Sequence, residues 1–441
     1  MGYQQMTPIQ AQSLPAILAG KDVIAQAKTG SGKTAAFGLG LLHHLRVKQF
    51  RVQALILCPT RELADQVAQE MRNLARAVHN VKVLTLCGGS PMGPQILSLE
   101  HGAHIIVGTP GRVEDHCRKG RLNLENLNTL VLDEADRMLE MGFQPALEFI
   151  FLLCPSKRQT LLFSATFPEQ IIPLAEQIMH QPVEIRLQQE HDNSSINQKF
   201  FQLEEHNDRL LATQLLLHKF QPESAVVFCT TKLETQAVAD ALGEQGFSVL
   251  SLHGDLEQRE RDETLIRFAN KSISVLVATD VAARGLDIDN LDMVINYHLA
   301  LDPEVHVHRI GRTGRAGAKG IAASLVSNKD ARKVIAIEQY SKITVTTEPL
   351  PEREVLNQPI NKPAMVTLQL DSGKKQKIRP GDILGALTSD NGINGEQVGK
   401  IKVLATKAYV AVSQAAANRA VKKLTEDKLK GRNVKLRRFK G

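Results

Sequence analysis

The sequence predicts two tandem α/β lobes, each a parallel sheet covered by helices, followed by a small basic α+β domain. Three observations lead there. Apolar runs of strand length alternate with longer helix-period segments from the start to about residue 345. The runs are apolar at successive positions, as strands buried on both faces are. The alternation also breaks and restarts once, then gives way to a segment of different order and charge.

In the first lobe, 1–187, the strand candidates are "DVIAQA", "ALILCP", "KVLTLC", "HIIVGTP", "TLVLDEA" and "TLLFSAT", each leading into a helical stretch such as "RELADQVAQEMRNLARAV". The polar, aperiodic "QQEHDNSSINQ" at 188–198 reads as a linker. "AVVFCTT", "SVLSLHG", "SVLVATD", "MVINYH" and "IAASLVS" repeat the alternation in a second lobe, 199–345. The proline-rich "TTEPLPEREVLNQPINKP" at 346–363 reads as a second linker. Over 364–441 the order is strand "MVTLQLD", helix "PGDILGALTSD", strands "VGKIKVL" and "AYVAVS", helix "AAANRAVKKLTED", strand "NVKLRRF". That β-α-β-β-α-β order is the order of the RNA-recognition-motif (RRM) fold.

Charge separates the last segment from the rest. Residues 360–441 hold 13 Lys and 5 Arg against 6 Asp or Glu, whereas the remainder carries 36 basic against 41 acidic residues. A basic patch of this kind suits phosphate. No apolar run approaches the roughly 18 residues of a membrane span, and the N-terminus lacks a signal-peptide pattern. Five scattered cysteines without a C-x-x-C pair fit small buried hydrophobes in a reducing compartment. A cytoplasmic monomer without membrane contact is the expectation.

"AQAKTGSGKT" follows the first strand and opens a helix near Gly32, fitting a phosphate-binding loop despite Ala27 at the first glycine of the strict pattern. Backbone N–H groups of Thr29, Gly30, Ser31 and Gly32 would face the anion, Lys33 the β/γ-phosphates, and Thr34 the magnesium. In "NTLVLDEADRM", three carboxylates stand at the mouth of a buried strand, where they repel one another and resist desolvation. Nucleotide hydrolysis accounts for two of them: Asp133 to hold Mg²⁺ and Glu134 to activate water. "HVHRIGRTGRAG" sets Arg309, Arg312 and Arg315 at three-residue spacing, which on a turn of helix aims them one way as arginine fingers, a surface patch being the alternative. His306 and His308 have no further ligand at metal spacing, so hydrogen bonding is the expected use. With loop and fingers on different lobes, ATP hydrolysis would require lobe closure, which a partner bound across both would favour.

Together these motifs resemble the two-lobed, RecA-like core of the DEAD-box RNA helicases over residues 1 to about 345. The family's motifs stand in order as Thr7-Pro8-Ile9-Gln10, "AKTGSGKT", "PTRELA", "GG" at 88–89, "TPGR", Asp133-Glu134-Ala135-Asp136, "SAT", "VVFC", "ATDVAARGLDI" and "HRIGRTGR". The resemblance implies that Gln10 reads adenine, that Asp287 approaches the ribose and that Arg312 and Arg315 are the fingers. It implies that Ser164 and Thr166, with Asp136 and His308, couple hydrolysis to closure, which gives the third acid its use. RNA would be held by Arg61, Gly89, Thr109 and Arg112 in the first lobe and by Thr279, Asp280 and Gly285 in the second, through sequence-independent backbone contacts. The family usually carries an adenine-stacking aromatic further upstream than the nine residues before Gln10, and a neighbouring group or a longer N-terminus is expected to supply it.

In the tail the third strand offers Tyr409 as its only aromatic and the last strand Phe439, so base stacking is poorly supported. Lys374, Lys375, Lys377, Arg379, Lys400, Lys402 and Lys407 suit the phosphates of a structured RNA. "DSGKKQKIRPGDILGALTSDNGINGEQVGKI" resembles the tail of a ribosome-assembly branch of the family. That implies a hairpin of 23S rRNA in the pre-50S particle as partner, ATP and Mg²⁺ as cofactors, and specificity supplied by tethering. A general RNA chaperone without rRNA specificity, a DNA translocase and a non-enzymatic RNA clamp are the rivals.

Overall fold

The computed structural model describes residues 5–27, 31–164, 166, 171–187, 196–204, 209–283, 291–314, 320–390, 392–426, 429–431 and 433–439. These form two compact units, one with the first sheet and the other with the second sheet together with the tail.

The first sheet is seven-stranded and parallel, in the spatial order Val83–Leu86, Ile105–Gly108, Ala54–Leu57, Thr129–Asp133, Gln159–Ser164, Val23–Gln26, Val183–Arg186. Its six inner and flanking strands fall where the apolar runs place them. One core packs Phe37, Met71 and Phe163 on one face of the sheet, and the other packs Leu55, Leu132 and Ile150 on the opposite face. The seventh strand, Val183–Arg186, is mostly exposed at the sheet edge and has no continuous apolar run to announce it. Because all strands are parallel, the segments that follow them emerge along one edge. Lys33, Arg61, Thr109, Glu134 and Thr166 all lie just past strand ends there.

The second sheet repeats this plan in the order Val249–Leu252, Val275–Thr279, Ala225–Cys229, Met293–Asn296, Gly320–Val326, Ile196–Gln202, Thr347–Glu348, again parallel throughout. Two of its strands come from segments read as linkers. Ile196–Gln202 begins three residues inside 188–198, since Ile196 to Gln198 pair with Gly320 to Ala322. The segment 346–363 is strapped to this lobe: Thr347–Glu348 extends the sheet, Leu350 joins its core, and Asn361 donates to the Gln221 carbonyl at 3.4 Å. A proline-rich chain held extended can lie along a surface without needing its own hydrogen-bond ladder.

The tail has the expected order, with an antiparallel sheet Val398–Val403, Ala408–Ser413, Met365–Leu370, Leu436–Arg438 and helices Pro380–Thr388 and Ala417–Glu426. Val366, Leu368, Leu370, Val410 and Val412 face the helices and form its own core with Ile383, Leu387, Ala420 and Leu424. An antiparallel sheet of this kind usually turns its second face to water. Here that face is covered too: Thr367, Gln369, Tyr409 and Phe439 are all buried. Ile266 of the second lobe clusters with Tyr409 and Phe439, the Arg267 guanidinium lies 4.8 Å from the Phe439 ring centre, and Asn270 Nδ2 donates to Thr367 Oγ1 at 3.1 Å.

Among the described residues no helix is long and apolar enough to cross a membrane. All five cysteines are free.

Candidate functional site

The phosphate loop enters its helix, Lys33–His44, through Gly32 in left-handed backbone with φ 93°. That φ strains any residue with a Cβ, and a Cβ there would also press on Gln10 Nε2 at 2.5 Å, so glycine is favoured. Gln10 donates from Nε2 to the Gly32 carbonyl at 3.1 Å and accepts from the Thr7 N–H at 3.0 Å. It is therefore tied to the loop, a link the sequence reading did not contain. Ser31 and Thr34 are half-buried beside it, while Thr29 and Gly30 lie outside the described residues.

Lys33 is 6% exposed and its Nζ stands 4.0 Å from Asp133 Oδ1, yet neither atom has a hydrogen-bond partner among the described residues. Two buried, opposed, unsatisfied charges form a site that a phosphate and a hydrated cation would complete. Burial, reinforced by Glu134 and Asp136 against the pull of Lys33, pushes the Asp133 carboxyl up to about 6. Among the described residues no three His, Cys, Asp or Glu side chains are grouped to hold a metal alone. Magnesium would thus need phosphate oxygens and water alongside Asp133 and Thr34.

The other two acids of "NTLVLDEADRM" have separate partners. Asp136 Oδ2 accepts from the Thr166 N–H at 3.0 Å and its hydroxyl at 2.8 Å, while the Asp136 N–H donates to Ser164 Oγ at 3.3 Å. Against burial, which raises it, the Thr166 hydrogen bonds hold the Asp136 carboxyl below the ordinary range. Ser164, Thr166 and Asp136, expected to act together, are thus brought together. Glu134 sits in left-handed backbone, φ 56°, and its Oε2 accepts from Arg137 Nη1 at 3.0 Å. Arg137 was missed by the sequence reading, although its place three residues after Glu134, within helical reach, was the available signal.

Along the same edge, the helices Arg61–Leu74 and Pro110–Arg118 present their N-termini. Thr109 Oγ1 accepts from the Gly88 N–H at 3.3 Å and Arg112 Nη1 donates to the Ser90 carbonyl at 3.0 Å, which joins the "TPGR" and "GG" segments; Gly89 has φ 71°. Arg61 begins its helix with Asp65 3.9 Å away.

In the second lobe the arginine spacing needs correction. Arg309 is turned inward: it is 3% exposed and grips Asp280 with two hydrogen bonds, Nε to Oδ1 at 2.6 Å and Nη2 to Oδ2 at 2.7 Å. Its Nη1 also donates to Asn296 Oδ1 and the His298 carbonyl. A guanidinium among buried acceptors turns inward because leaving them unsatisfied costs more than leaving solvent. The Asp280 carboxylate is correspondingly committed to Arg309. Thr279 Oγ1 accepts from the Ala282 N–H at 3.4 Å, and Arg312 is buried two residues beyond the helix Pro303–Ile310 that carries His308. Arg315, Gly285 and Asp287 lie outside the described residues. Contrary to the expected hydrogen bonding, His306 makes none through either ring nitrogen among the described residues: it stacks on Phe200 at 6.1 Å, and burial, with Arg309, lowers its pKa to about 4.

On the tail, Lys374, Lys375, Lys377, Arg379, Lys400 and Lys402 are exposed and Lys407 is half-buried. Gly373 lets the loop pack on the turn before Tyr409, since a Cβ there would meet the Leu404 carbonyl at 2.4 Å. The Lys374 and Lys375 N–H groups donate to the Leu404 and Ala405 carbonyls, which gathers Lys374, Lys375 and Lys407 at one end of the sheet.

Family models match three stretches: DEAD/DEAH box helicase over residues 7–174, helicase conserved C-terminal domain over 205–317, and DbpA RNA binding domain over 367–438. The chain is 54% identical to the ATP-dependent RNA helicase DbpA of Escherichia coli over 440 residues, 100% of this chain and 96% of that one. It is 36% identical to DbpA of Bacillus subtilis over 99% of this chain and 95% of that one. Among solved structures, S. cerevisiae Dbp5 bound to RNA and ADP BeF3 aligns with TM-score 0.70 at 33% identity, over 79% of this chain and 90% of that one. Mss116p bound to ssRNA and AMP-PNP aligns with TM-score 0.70 at 28% identity, over 80% and 76%.

Proposed function

We propose, from the premise that this chain belongs to the DEAD-box ATP-dependent RNA helicases ending in a DbpA RNA-binding domain, that it remodels short duplexes of 23S rRNA during large-subunit assembly. Membership makes it an RNA-dependent ATPase and helicase.

The observation that carries it is the sorting of the three acids. Asp133 opposes Lys33 across a gap with unsatisfied atoms on both sides, Glu134 stands beside it, and Asp136 is bonded to Thr166. Lys33 and the loop N–H groups would hold the phosphates, and Asp133 with Thr34 would hold Mg²⁺, which when bound offsets charge on the transferring phosphoryl group. Glu134 orients the attacking water and accepts its proton. Arg312 and Arg315 neutralise the transition state once RNA and ATP favour lobe closure, and Ser164, Thr166, Asp136 and His308 tie that closure to hydrolysis. RNA and ATP then tighten each other's binding by the same factor.

The basic loop of the tail supports a structured RNA as its target, a hairpin of 23S rRNA in the pre-50S particle. Tyr409 and Phe439 lie beneath the second lobe, so recognition falls to lysines and phosphates rather than stacking. Cytoplasmic location and a monomeric state complete the reading.

The test is ATP turnover by the full chain and by a Lys374→Gln/Lys375→Gln/Lys377→Gln variant, each with the ribosomal hairpin fragment or with poly(U). A deletion of the tail would uncover Ile266 and Arg267 and confuse the result. Stimulation by the hairpin alone, weakened in the variant, supports targeted action. Equal stimulation by both RNAs would leave a general RNA chaperone.

A further inference from the structure

We propose that Arg137 is a positioning residue for hydrolysis, holding the Glu134 carboxylate in the orientation from which it meets the attacking water. The inference rests on the reading that Glu134 acts on that water.

Glu134 ends the central strand and starts the helix Ala135–Glu140 in left-handed backbone, a conformation that costs free energy for a residue with a Cβ. It caps that helix by position, but its side chain makes no capping hydrogen bond. The carboxylate goes instead to Arg137 Nη1, at 3.0 Å, with the two side chains 3% and 6% exposed. Arg137 is itself anchored: its backbone N–H donates to Asp136 Oδ1 at 3.0 Å and to the Glu134 carbonyl at 3.1 Å. Its backbone is therefore tied to the acid that Thr166 holds, while its guanidinium grips Glu134.

As a stability device this pair is a poor choice, because a buried ion pair is often no better than apolar side chains of the same volume. What the pair does supply is direction. A glutamate has three side-chain torsions, and beside Asp133 and Asp136 repulsion would push its carboxylate away from them. A rigid, planar donor on the next turn removes that freedom. The three acids then have three distinct partners: Lys33 opposes Asp133, Arg137 holds Glu134, and Thr166 holds Asp136. Misplacing a reacting group by about 1 Å costs on the order of 10²-fold in rate, so a residue fixing that group acts on kcat without touching substrate.

The experiment measures steady-state ATP turnover at saturating RNA for the full chain and for Arg137→Gln, Arg137→Lys, Glu134→Gln and Glu134→Gln/Arg137→Gln, with nucleotide affinity measured by a fluorescent ATP analogue. Arg137→Gln is expected to lower kcat about ten- to a hundredfold with KM for ATP and for RNA within about twofold. Arg137→Lys keeps the charge without the fork and should fall several-fold, between the two. In the Glu134→Gln background Arg137→Gln should cost nothing more, as expected of residues that act as a unit. A kcat for Arg137→Gln within twofold of the unaltered chain, or a loss of kcat matched by an equal loss of nucleotide affinity, overturns the proposal. Where Arg137→Gln does not fold, Arg137→Lys carries the test, and unaltered kcat then overturns it. Turnover surviving in Glu134→Gln sinks the reading of Glu134 and this inference with it, whereas loss in Glu134→Gln alone sinks only the inference.

Discussion

Thr166 gives both its backbone N–H and its hydroxyl to the same carboxylate oxygen of Asp136, at 3.0 and 2.8 Å. The two residues lie on different strand-end segments, so the pair ties the "SAT" segment to the acid-bearing helix within one lobe. Thr166→Val keeps the shape and the N–H but removes one donor from a buried charge. The expected cost is about 1–3 kcal/mol, read by urea unfolding. Because the link between the segments loosens, duplex separation per ATP should fall further than ATP turnover. Equal losses in both would show that the link is structural only.

Lys33 is the cation opposed to Asp133, with no hydrogen-bond partner at its Nζ among the described residues. Lys33→Ala should lower RNA-stimulated turnover by roughly 10²-fold or more, since electrostatic stabilisation of the phosphoryl group goes with it. Binding of the ribosomal hairpin without nucleotide should stay within about twofold, because the tail's lysines lie on a separate surface. Parallel titrations with nucleotide and with RNA decide this, and a common loss of both would place Lys33 in folding rather than in the site.

A buried pair supports the second lobe. Arg209, 2% exposed, donates to Asp330 Oδ2 at 3.0 Å and to the Leu325 carbonyl at 3.1 Å. Against burial, which raises it, hydrogen bonds from Ser327 and Lys333 bring the Asp330 carboxyl down from 3.8 to about 2. The folded state thus binds this proton less readily than the unfolded chain. Its contribution, ~2 kcal/mol, is complete above about pH 4 and is lost as pH falls through about 2. Asp330→Asn should destabilise by roughly 3 kcal/mol at pH 7, where it leaves Arg209 buried and unpaired. The gap from the unaltered chain should be about 1 kcal/mol narrower at pH 3, and a gap that does not change with pH would exclude Asp330 as the titrating group.

How much of this was legible in the sequence depended on burial. The central strands announce themselves because strands covered on both faces need apolar residues at every position, as "ALILCP" and "TLVLDEA" show. Val183–Arg186 and Thr347–Glu348 carry no such run, because edge strands face solvent, and Ile196–Gln202 hid inside a polar segment. The site acids and the phosphate loop were legible because their chemistry admits few residue types. Their partners were less so: Arg137 looks like an ordinary surface charge, and Arg309 like a finger, until the fold buries them beside Glu134 and Asp280. The covered face of the tail was invisible for a different reason. Thr367, Gln369 and Tyr409 form a pattern as suited to solvent or RNA as to another domain, and only the presence of Ile266 and Asn270 decides between them.

That covered face yields the sharpest prediction about RNA. Tyr409 and Phe439 stack at 6.4 Å between ring centres, with the guanidinium groups of Arg267 and Arg437 at 4.8 and 4.6 Å from the Phe439 ring. If Tyr409 stacked on a base, removing its ring would cost about 1–3 kcal/mol, or roughly 5- to 150-fold in affinity. Beneath the second lobe it has no such role, so Tyr409→Leu should bind the ribosomal hairpin within about threefold of the unaltered chain at the same salt. The same change should loosen the tail from the second lobe and increase proteolysis around the segment between them. Lys374→Gln should behave in the opposite way, leaving the protease pattern alone while weakening the hairpin and lowering the salt dependence of binding by about one phosphate contact. Titrations at two salt concentrations separate the two surfaces, and a large loss of affinity in Tyr409→Leu with an unchanged protease pattern would return the sheet face to RNA.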